Sequence, residues 1–361
     1  MEDWQDAVRW SRQLDAAPVP TRQEWYRLGD GYLEIRSDDL PFRERLELLF
    51  RECAVAAPAA DGLPRVSCTV RSPAGANVAL VTFDDPEPLD PIRFPLELFP
   101  DRGYGEVPSP VPEWRLLTLP TPGGVGILPV SGDRVLVHRS LPWQALVGSI
   151  AVSRVFRLQR NLIFLHAGSV GIRGRGVLLI GPKGAGKTTL SLALAARGHT
   201  FLGDEIAGVR LDGGSADGQA SGSGIMELVP IRRSLAVRDG PRAAAVGTAL
   251  DREAAPYEPF PDGTSRRRAF AGQLFPEPAV ALPLRRLVFL RGKGPTARLE
   301  QAPVGRDLLS MLTPLGASMW GRPPMQALRD LLRIVSAVPA VLLHLGPPEE
   351  TADLLTKSLE E

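Results

Sequence analysis

Gly181-Pro-Lys-Gly-Ala-Gly-Lys-Thr-Thr189 follows the apolar run Val177-Leu-Leu-Ile180 and leads into Thr188-Thr-Leu-Ser-Leu-Ala-Leu-Ala-Ala-Arg197. Strand, glycine-rich loop and helix in that order predict a phosphate-binding P-loop, the Walker A pattern. Three glycines, Gly181, Gly184 and Gly186, let the backbone curl with its N–H groups pointing inward. Lys187 supplies a compact positive charge for the β- and γ-phosphates, and Thr188 a hydroxyl for Mg²⁺. The helix beginning at Thr188 turns its N-terminus toward the anion. The expected nucleotide-binding residues are therefore Gly181, Pro182, Lys183, Gly184, Ala185, Gly186, Lys187, Thr188 and Thr189, with ATP and Mg²⁺ as the bound species. Lysine usage agrees: among the 42 basic residues only Lys183, Lys187, Lys293 and Lys357 are lysines, and two of them fall in the loop. A planar guanidinium would not fit at the centre of such a cradle.

A bound nucleotide needs an acid, a base or a metal ligand beside it. Asp204 and Glu205 end the run Thr200-Phe-Leu-Gly-Asp-Glu205, at the carboxyl end of a short strand, where an α/β nucleotide site holds its carboxylates. One short helix separates them from Lys187, so the strand carrying them is expected close to the P-loop strand, within reach of the γ-phosphate. His166 ends the apolar Leu162-Ile-Phe-Leu165, one hairpin upstream; a histidine beside a strand is in itself more often structural. His199, just past Gly198, fits a partner for the helix end. His138 and His344 have no chemical context, and no His/Cys cluster has zinc spacing.

At 361 residues the chain has room for two or three cores. A net charge of +1 gives no whole-molecule field for nucleic acid or a membrane surface. Cys53 and Cys68 are too few for a disulfide framework, no apolar run reaches membrane-spanning length, and Met1-Glu-Asp-Trp-Gln-Asp-Ala7 lacks the basic and small-residue parts of a signal peptide. A cytoplasmic setting is expected, with neither nucleic acid nor membrane as partner.

The fold class expected is α/β, with residues 1–140 as a separate mixed α/β N-terminal domain and residues 141–361 as the P-loop domain. In the first, helices are expected at Trp4–Leu14 and Phe42–Cys53 and strands at Val66–Val70, Val78–Phe83, Val125–Val130 and Val135–His138, joined by proline-rich connectors around 84–95 and 107–122. Leu141–Arg160 is apolar at helical spacing and leads into the second domain. There, Leu162–Leu165, Ser169–Ile172, Val177–Ile180 and Thr200–Leu202 read as strands, with an antiparallel hairpin turning at Arg173-Gly-Arg-Gly176. Residues 211–224 read as a loop without core-forming content, and Pro256–Arg268 as an irregular stretch ending in three arginines. Arg286–Leu290 and Ala340–Leu345 complete the strands; Arg306–Leu312, Met325–Val335 and Glu349–Ser358 complete the helices.

From His166 to Glu205 the order is His-Ala-Gly-Ser-Val, a hairpin, the P-loop, a helix ending in Arg-Gly-His and the acidic pair. That order resembles the catalytic core of the HPr kinase/phosphorylase family, and in particular HPr-kinase-related proteins outside sugar regulation. The resemblance implies an ATP-dependent kinase of serine or another hydroxyl acceptor. It would make Asp204 the base for the acceptor hydroxyl, place His166 beside Asp204, and set Thr188 and Glu205 to organise Mg²⁺. The pair is Asp-Glu here where that family has Asp-Asp, and the family's glycine-rich signature after the pair is absent, so neither HPr as acceptor nor the reverse reaction is implied. A P-loop of the phosphoenolpyruvate carboxykinase type shares Gly-Lys-Thr-Thr-Leu-Ser, but those enzymes carry an upstream metal-binding lysine and no lysine precedes Lys183.

The leading reading is thus a phosphotransferase acting on a protein or peptide acceptor, with residues 1–140 contacting that acceptor or a second copy of the chain. Arg232 and Arg233, or Arg266–Arg268, are the arginines placed to complete a phosphate clamp. The rival reading is a nucleotide-gated binding or scaffold protein without phosphotransfer.

Overall fold

The computed structural model describes residues 13–14, 16–72, 78–85, 105–108, 115–118, 127–131, 133–138, 143–211, 224–238, 257–259, 265–275, 277–312, 316, 320 and 322–360. It is a mixed α/β chain of two compact units. The first comprises Met1–Leu49, Ala54–Gln159 and Ser318–Gly321; the second comprises Phe50–Cys53, Arg160–Ala317 and Arg322–Glu361.

In the first unit β1 (Gln23–Arg27), β2 (Tyr32–Ser37), β3 (Ala54–Val55), β4 (Arg65–Arg71), β5 (Val78–Asp84), β6 (Gly105–Pro108), β7 (Arg115–Thr118), β8 (Ile127–Ser131) and β9 (Arg134–His138) form one sheet. Its order is β3-β1-β2-β4-β5-β9-β8-β7-β6, and the β2–β4 pair is parallel. Helix α1 (Leu40–Phe50) continues into a 3₁₀ turn, Arg51–Cys53, and α2 spans Trp143–Leu158. Alternation along β4 buries Val66, Cys68 and Val70, and the core adds Leu33, Ile35, Val81 and Phe83. Trp143 of α2 stacks on Phe42 of α1 with ring centroids 5.5 Å apart. Arg154 and Asp85 form an ion pair of 2.6 Å with both side chains buried, the guanidinium 4.1 Å above the Phe83 ring. Because α2 belongs to this unit, the division falls after Gln159 rather than near residue 140.

Several expected connectors carry strands. The β1–β2 hairpin turns through Gly29, at φ 66°, and was not anticipated from sequence. Strand β7 lies within, and β6 runs into, the stretch 107–122 expected as a proline-rich connector. The expected helix at Trp4–Leu14 lies outside the described residues except for its last two, which are helical.

The second unit is built on a sheet of β10 (Leu162–Leu165), β11 (Gly168–Ile172), β12 (Arg175–Ile180), β13 (Thr200–Gly203), β14 (Ala207–Arg210) and β15 (Glu227–Val229). A small sheet takes β16 (Leu235–Arg238), β17 (Tyr257–Pro259) and β18 (Ser265–Ala269). The main sheet is completed by β19 (Leu282–Lys293), β20 (Arg298–Gln301) and β21 (Ala340–Leu345). Its order is β10-β14-β15-β19-β12-β11-β13, with β21 also on β19 and β20 on β21. Strand β12 runs parallel to β19, and β19 parallel to β21. The helices are α3 (Lys187–Ala195), the single turn α4 (Ala271–Leu274), α5 (Arg306–Leu312), α6 (Pro324–Ala337) and α7 (Pro348–Lys357).

Strands covered on both faces read as continuous apolar runs. In β12 and β19 the two faces separate residue by residue: Leu178, Ile180, Leu287 and Phe289 pack with α5 and α6, whereas Val177, Leu179, Val288 and Leu290 pack with α3 and α7. The small antiparallel sheet packs Leu235, Val237 and Ala269 against Leu192 and Ala195 of α3 and Phe201 of β13. The stretch expected to be irregular at Pro256–Arg268 therefore contains β17 and β18, with Arg266 and Arg268 on the strand's buried face. Residues 212–223 of the expected loop lie outside the described residues. Among the described residues no helix is long and apolar enough to cross a membrane.

The two parallel strands at the centre approach closely at Gly176, where a Cβ would stand 2.9 Å from the carbonyl oxygen of Pro283 and 3.2 Å from that of Leu282. Backbone cannot swing aside as a side chain can. Gly176→Ala is expected to destabilise the second unit by about 1–3 kcal/mol, read as a lower urea midpoint at unchanged m-value; an unchanged midpoint would mean the strands have room there.

Candidate functional site

The glycine loop leaves the end of β12 at Gly181 and enters α3 at Lys187. Each glycine has its own reason. A Cβ at residue 181 would stand 2.8 Å from that of Ala185 and 3.3 Å from that of Leu290, while Gly184 and Gly186 adopt φ of 85° and 111°, the left-handed region open to glycine. The Ala185 N–H donates to Pro182 O at 3.1 Å, closing the loop on itself. Its crest, Pro182, Lys183 and Gly184, is exposed, whereas Lys187 is buried. Lys187 Nζ donates to the carbonyls of Gly181 at 2.7 Å and Pro182 at 3.3 Å, so the ammonium lies across the loop. Burial lowers its pKa, against the raising effect of the Asp204 and Glu205 charges.

Strand β13 pairs with β11, which pairs with β12, so the strand carrying the acidic pair is next but one to the loop strand. The expected proximity nevertheless holds at the side-chain level. Thr188 Oγ1 donates to Asp204 Oδ2 at 2.6 Å. Asp204 is buried, and its other oxygen, Oδ1, has no hydrogen-bond partner. Burial and the neighbouring Glu205 charge push its pKa up from 3.8 to about 6, against the Thr188 hydrogen bond and the Lys187 charge.

Glu205 points elsewhere. It has φ 65°, rare for a residue with a Cβ. Its half-exposed carboxylate lies 3.6 Å from Arg233 Nη1. Burial raises its pKa, but Arg233, His166, Arg268 and Arg266 together outweigh that and hold the carboxyl below its ordinary value. His166 Nδ1 lies 3.0 Å from the backbone oxygen of Glu205. A carbonyl only accepts, so this bond places the proton on Nδ1 and leaves Nε2 with a lone pair in the neutral ring. Burial, then the Lys187 charge, lowers the His166 pKa and favours that neutral form. The histidine expected beside Asp204 is thus tied to the backbone of the next residue.

The arginines divide. Arg233 faces Glu205 and stacks its Cζ 5.2 Å over the Phe50 ring. Arg232 is spent on structure, donating to the carbonyls of Phe275 at 2.5 Å and Glu277 at 3.0 Å and pairing with Glu52 at 3.2 Å. Arg267 stacks over Tyr257 instead. His199 follows Gly198, at φ 81°, and its Nε2 lies 2.9 Å from Thr356 Oγ1. Since that hydroxyl donates to Ala352 O, His199 is the donor, and its pKa is lowered chiefly by burial. It ties the end of α3 to α7 through that hydrogen bond. Among the described residues no three His, Cys, Asp or Glu side chains cluster as a metal site. A Mg²⁺ held by one hydroxyl, one carboxylate and phosphate oxygens needs no such cluster.

No protein-family model matches the chain. The curated HPr kinase/phosphorylase of Chlorobium phaeovibrioides (strain DSM 265 / 1930) is 38% identical over 74 residues, 20% of this chain and 22% of that protein. The match thus spans about a fifth of that relative's length. Among solved structures, the Hpr(Ser) kinase/phosphatase from Coxiella burnetii aligns over 55% of this chain and 88% of its own, at 15% identity and a TM-score of 0.27, too low to carry a fold argument.

Asp204 holds its proton more tightly in the folded chain than in the unfolded one. Its contribution to stability is therefore complete below about pH 4 and is lost as pH rises through about 6. Asp204→Asn removes that loss, and is expected to stabilise the ligand-free protein by about 1–3 kcal/mol at pH 7 and by little at pH 4. Unfolding midpoints at the two pH values check this; equal gains at both would contradict a raised pKa. Over its matched stretch, the chain is similar to an HPr kinase/phosphorylase.

Proposed function

We propose that the chain is an ATP-dependent phosphotransferase that moves a γ-phosphoryl group to a hydroxyl, a serine of a small protein or peptide. The observation that supports this best is the convergence of Lys187, Thr188 and a buried, half-paired Asp204 at one loop. A carboxylate buried beside a lysine and the first turn of a helix is costly in a merely structural turn, and a bound Mg²⁺-nucleotide would offset that cost.

The residues fit a Mg²⁺-nucleotide. Amides of the loop 181–189 would hold the phosphates, with Lys187 turning from the loop carbonyls to the β- and γ-oxygens. Thr188 would hold Mg²⁺ with a carboxylate of the acidic pair, and the metal would neutralise charge on the phosphates. Asp204, with its pKa raised to about 6, is a base matched to neutral pH. Its carboxylate would take the acceptor's proton as the oxygen forms its bond to the γ-phosphorus and the bond from that phosphorus to the β–γ bridging oxygen breaks, with ADP leaving. Arg233 would face the transferred group from the side of Glu205, and His166 would fix the turn from which both acids project. Residues 1–140 would recognise the acceptor or a second copy of the chain, and the protein would work in the cytoplasm. Similarity over part of an HPr kinase/phosphorylase supports the reaction class, not HPr as the acceptor.

A second reading is favoured by the 2.6 Å Thr188–Asp204 bond, because a hydroxyl and carboxylate so close can share one metal. Asp204 would then be a Mg²⁺ ligand and Glu205 the base. Two variants separate the readings. Asp204→Asn, if Asp204 is the base, keeps Mg²⁺-ATP affinity while transfer of label from γ-labelled ATP falls roughly 10²–10⁴-fold. Thr188→Ala weakens Mg²⁺-nucleotide binding itself. Equal loss of affinity in both makes Asp204 a metal ligand; loss of neither contradicts a catalytic acidic pair. Independently, Lys187→Ala is expected to keep the fold and lose ATP turnover, and turnover at the wild-type rate would overturn the nucleotide-site assignment.

A further inference from the structure

A second hydroxyl of α3 lies on the helix face that carries Thr188. Ser191 follows Thr188 by three residues, so the two lie one turn apart on one helix face. It is fully buried, and its Oγ has no hydrogen-bond partner. A helical hydroxyl can donate to the carbonyl four residues back, a bond that Thr189 Oγ1 of the same helix also lacks. Ser153, Thr351 and Thr356 in this chain all do so, at 2.8 Å. Ser191 forgoes the bond.

Gly168 lies close to both groups, the Ser191 hydroxyl and the Asp204 carboxylate. The register of β11 on β13, Ser169 opposite Gly203, brings Gly168 alongside Asp204. A Cβ on residue 168 would stand 3.1 Å from Ser191 Oγ and 3.6 Å from Asp204 Oδ1. The two orphaned polar atoms thus flank one wedge, kept open by the missing side chain. Leaving a buried hydroxyl and a buried carboxylate oxygen both unpaired would cost an order of magnitude or more in the folding equilibrium, which a bond between them, direct or through one water, removes.

We infer that Ser191 is a positioning residue for Asp204: its hydroxyl serves Oδ1 as Thr188 serves Oδ2, fixing the plane of the carboxylate, and Gly168 keeps that contact open. This rests on the reading of Asp204 as the base. Both residues are buried beneath the loop, so the signature is a split between turnover and binding.

The test uses the full chain, with Mg²⁺-ATP binding measured by titration and turnover measured as release of γ-phosphate to water. Ser191→Ala should lower turnover about ten- to a hundredfold while ATP affinity stays within about twofold. Ser191→Cys, similar in shape but a feeble donor, should lose as much. Gly168→Ala, which fills the wedge, should lose turnover likewise, and the double Ser191→Ala, Gly168→Ala should be no worse than the poorer single. Wild-type turnover in Ser191→Ala, multiplying losses in the double, or a loss confined to ATP affinity overturns the inference. Asp204→Asn run in parallel keeps the two ideas apart. If it abolishes turnover while the Ser191 variants do not, only the positioning role falls; if it leaves turnover intact, or the wild-type chain has none, the base reading falls and the positioning role with it.

Discussion

A carboxylate taken out of water against the first turn of a helix is the constraint around which the second unit is organised. Asp204 remains ionised at neutral pH only against the cost of burial, and the groups that offset this cost come from separate elements. Thr188 and Lys187 come from the start of α3, and the Glu205 N–H comes from the turn after β13. Those elements meet because β11 pairs on one side with the loop strand and on the other with the strand that ends in Asp204. The hairpin between His166 and the loop is therefore the spacer that sets how far the acid lies from the glycine loop.

Charge is distributed unequally over the acidic pair. Asp204 faces the loop with its pKa raised, whereas Glu205, one residue on, turns through a left-handed backbone into a group of arginines that lowers its own. Two adjacent acids with opposite shifts are suited to different tasks at one pH, one exchanging a proton and the other remaining a fixed anion. The reversal of direction depends on the φ of 65° at Glu205, held by the His166 hydrogen bond to its carbonyl and by Arg233 on its side chain. His166 thus acts on the site through the backbone of the pair.

Much of the second unit is legible in the sequence because its strands are apolar on both faces and its turns are marked by glycine. Arg306–Leu312 and Ala340–Leu345 form with the ends their apolar patterns give. What escaped the sequence has physical reasons. Ser265-Arg-Arg-Arg-Ala269 reads as a solvated basic loop, yet it is a strand whose alternate arginines face inward, where Glu205 and Ser234 give their charge an outlet that no local pattern announces. The β1–β2 hairpin carried a signal, Gly29-Asp30-Gly31 between runs with buried Tyr26 and Ile35, but β2 is buried on both faces, with Glu34 among its buried residues, so no polar alternation marks it. The loop residues and the acidic pair were visible as chemistry; which arginine serves Glu205 and which holds Phe275 and Glu277 is a matter of three-dimensional neighbours. Ser191 and Gly168 were in plain view within the quoted motif, and only the register of β11 on β13 gives them a purpose.

On the proposed function, this loop holds the terminal phosphates of a nucleotide. Equilibrium titration of the full chain with Mg²⁺-ATP and with AMP tests it most directly, because the two ligands share base, sugar and α-phosphate and differ in the groups Lys187 and Thr188 would hold. The account predicts saturable binding of Mg²⁺-ATP and binding of AMP weaker by roughly a hundredfold or more, the worth of two or three charge-assisted contacts. Equal affinities for the two, or no binding of Mg²⁺-ATP, would contradict it.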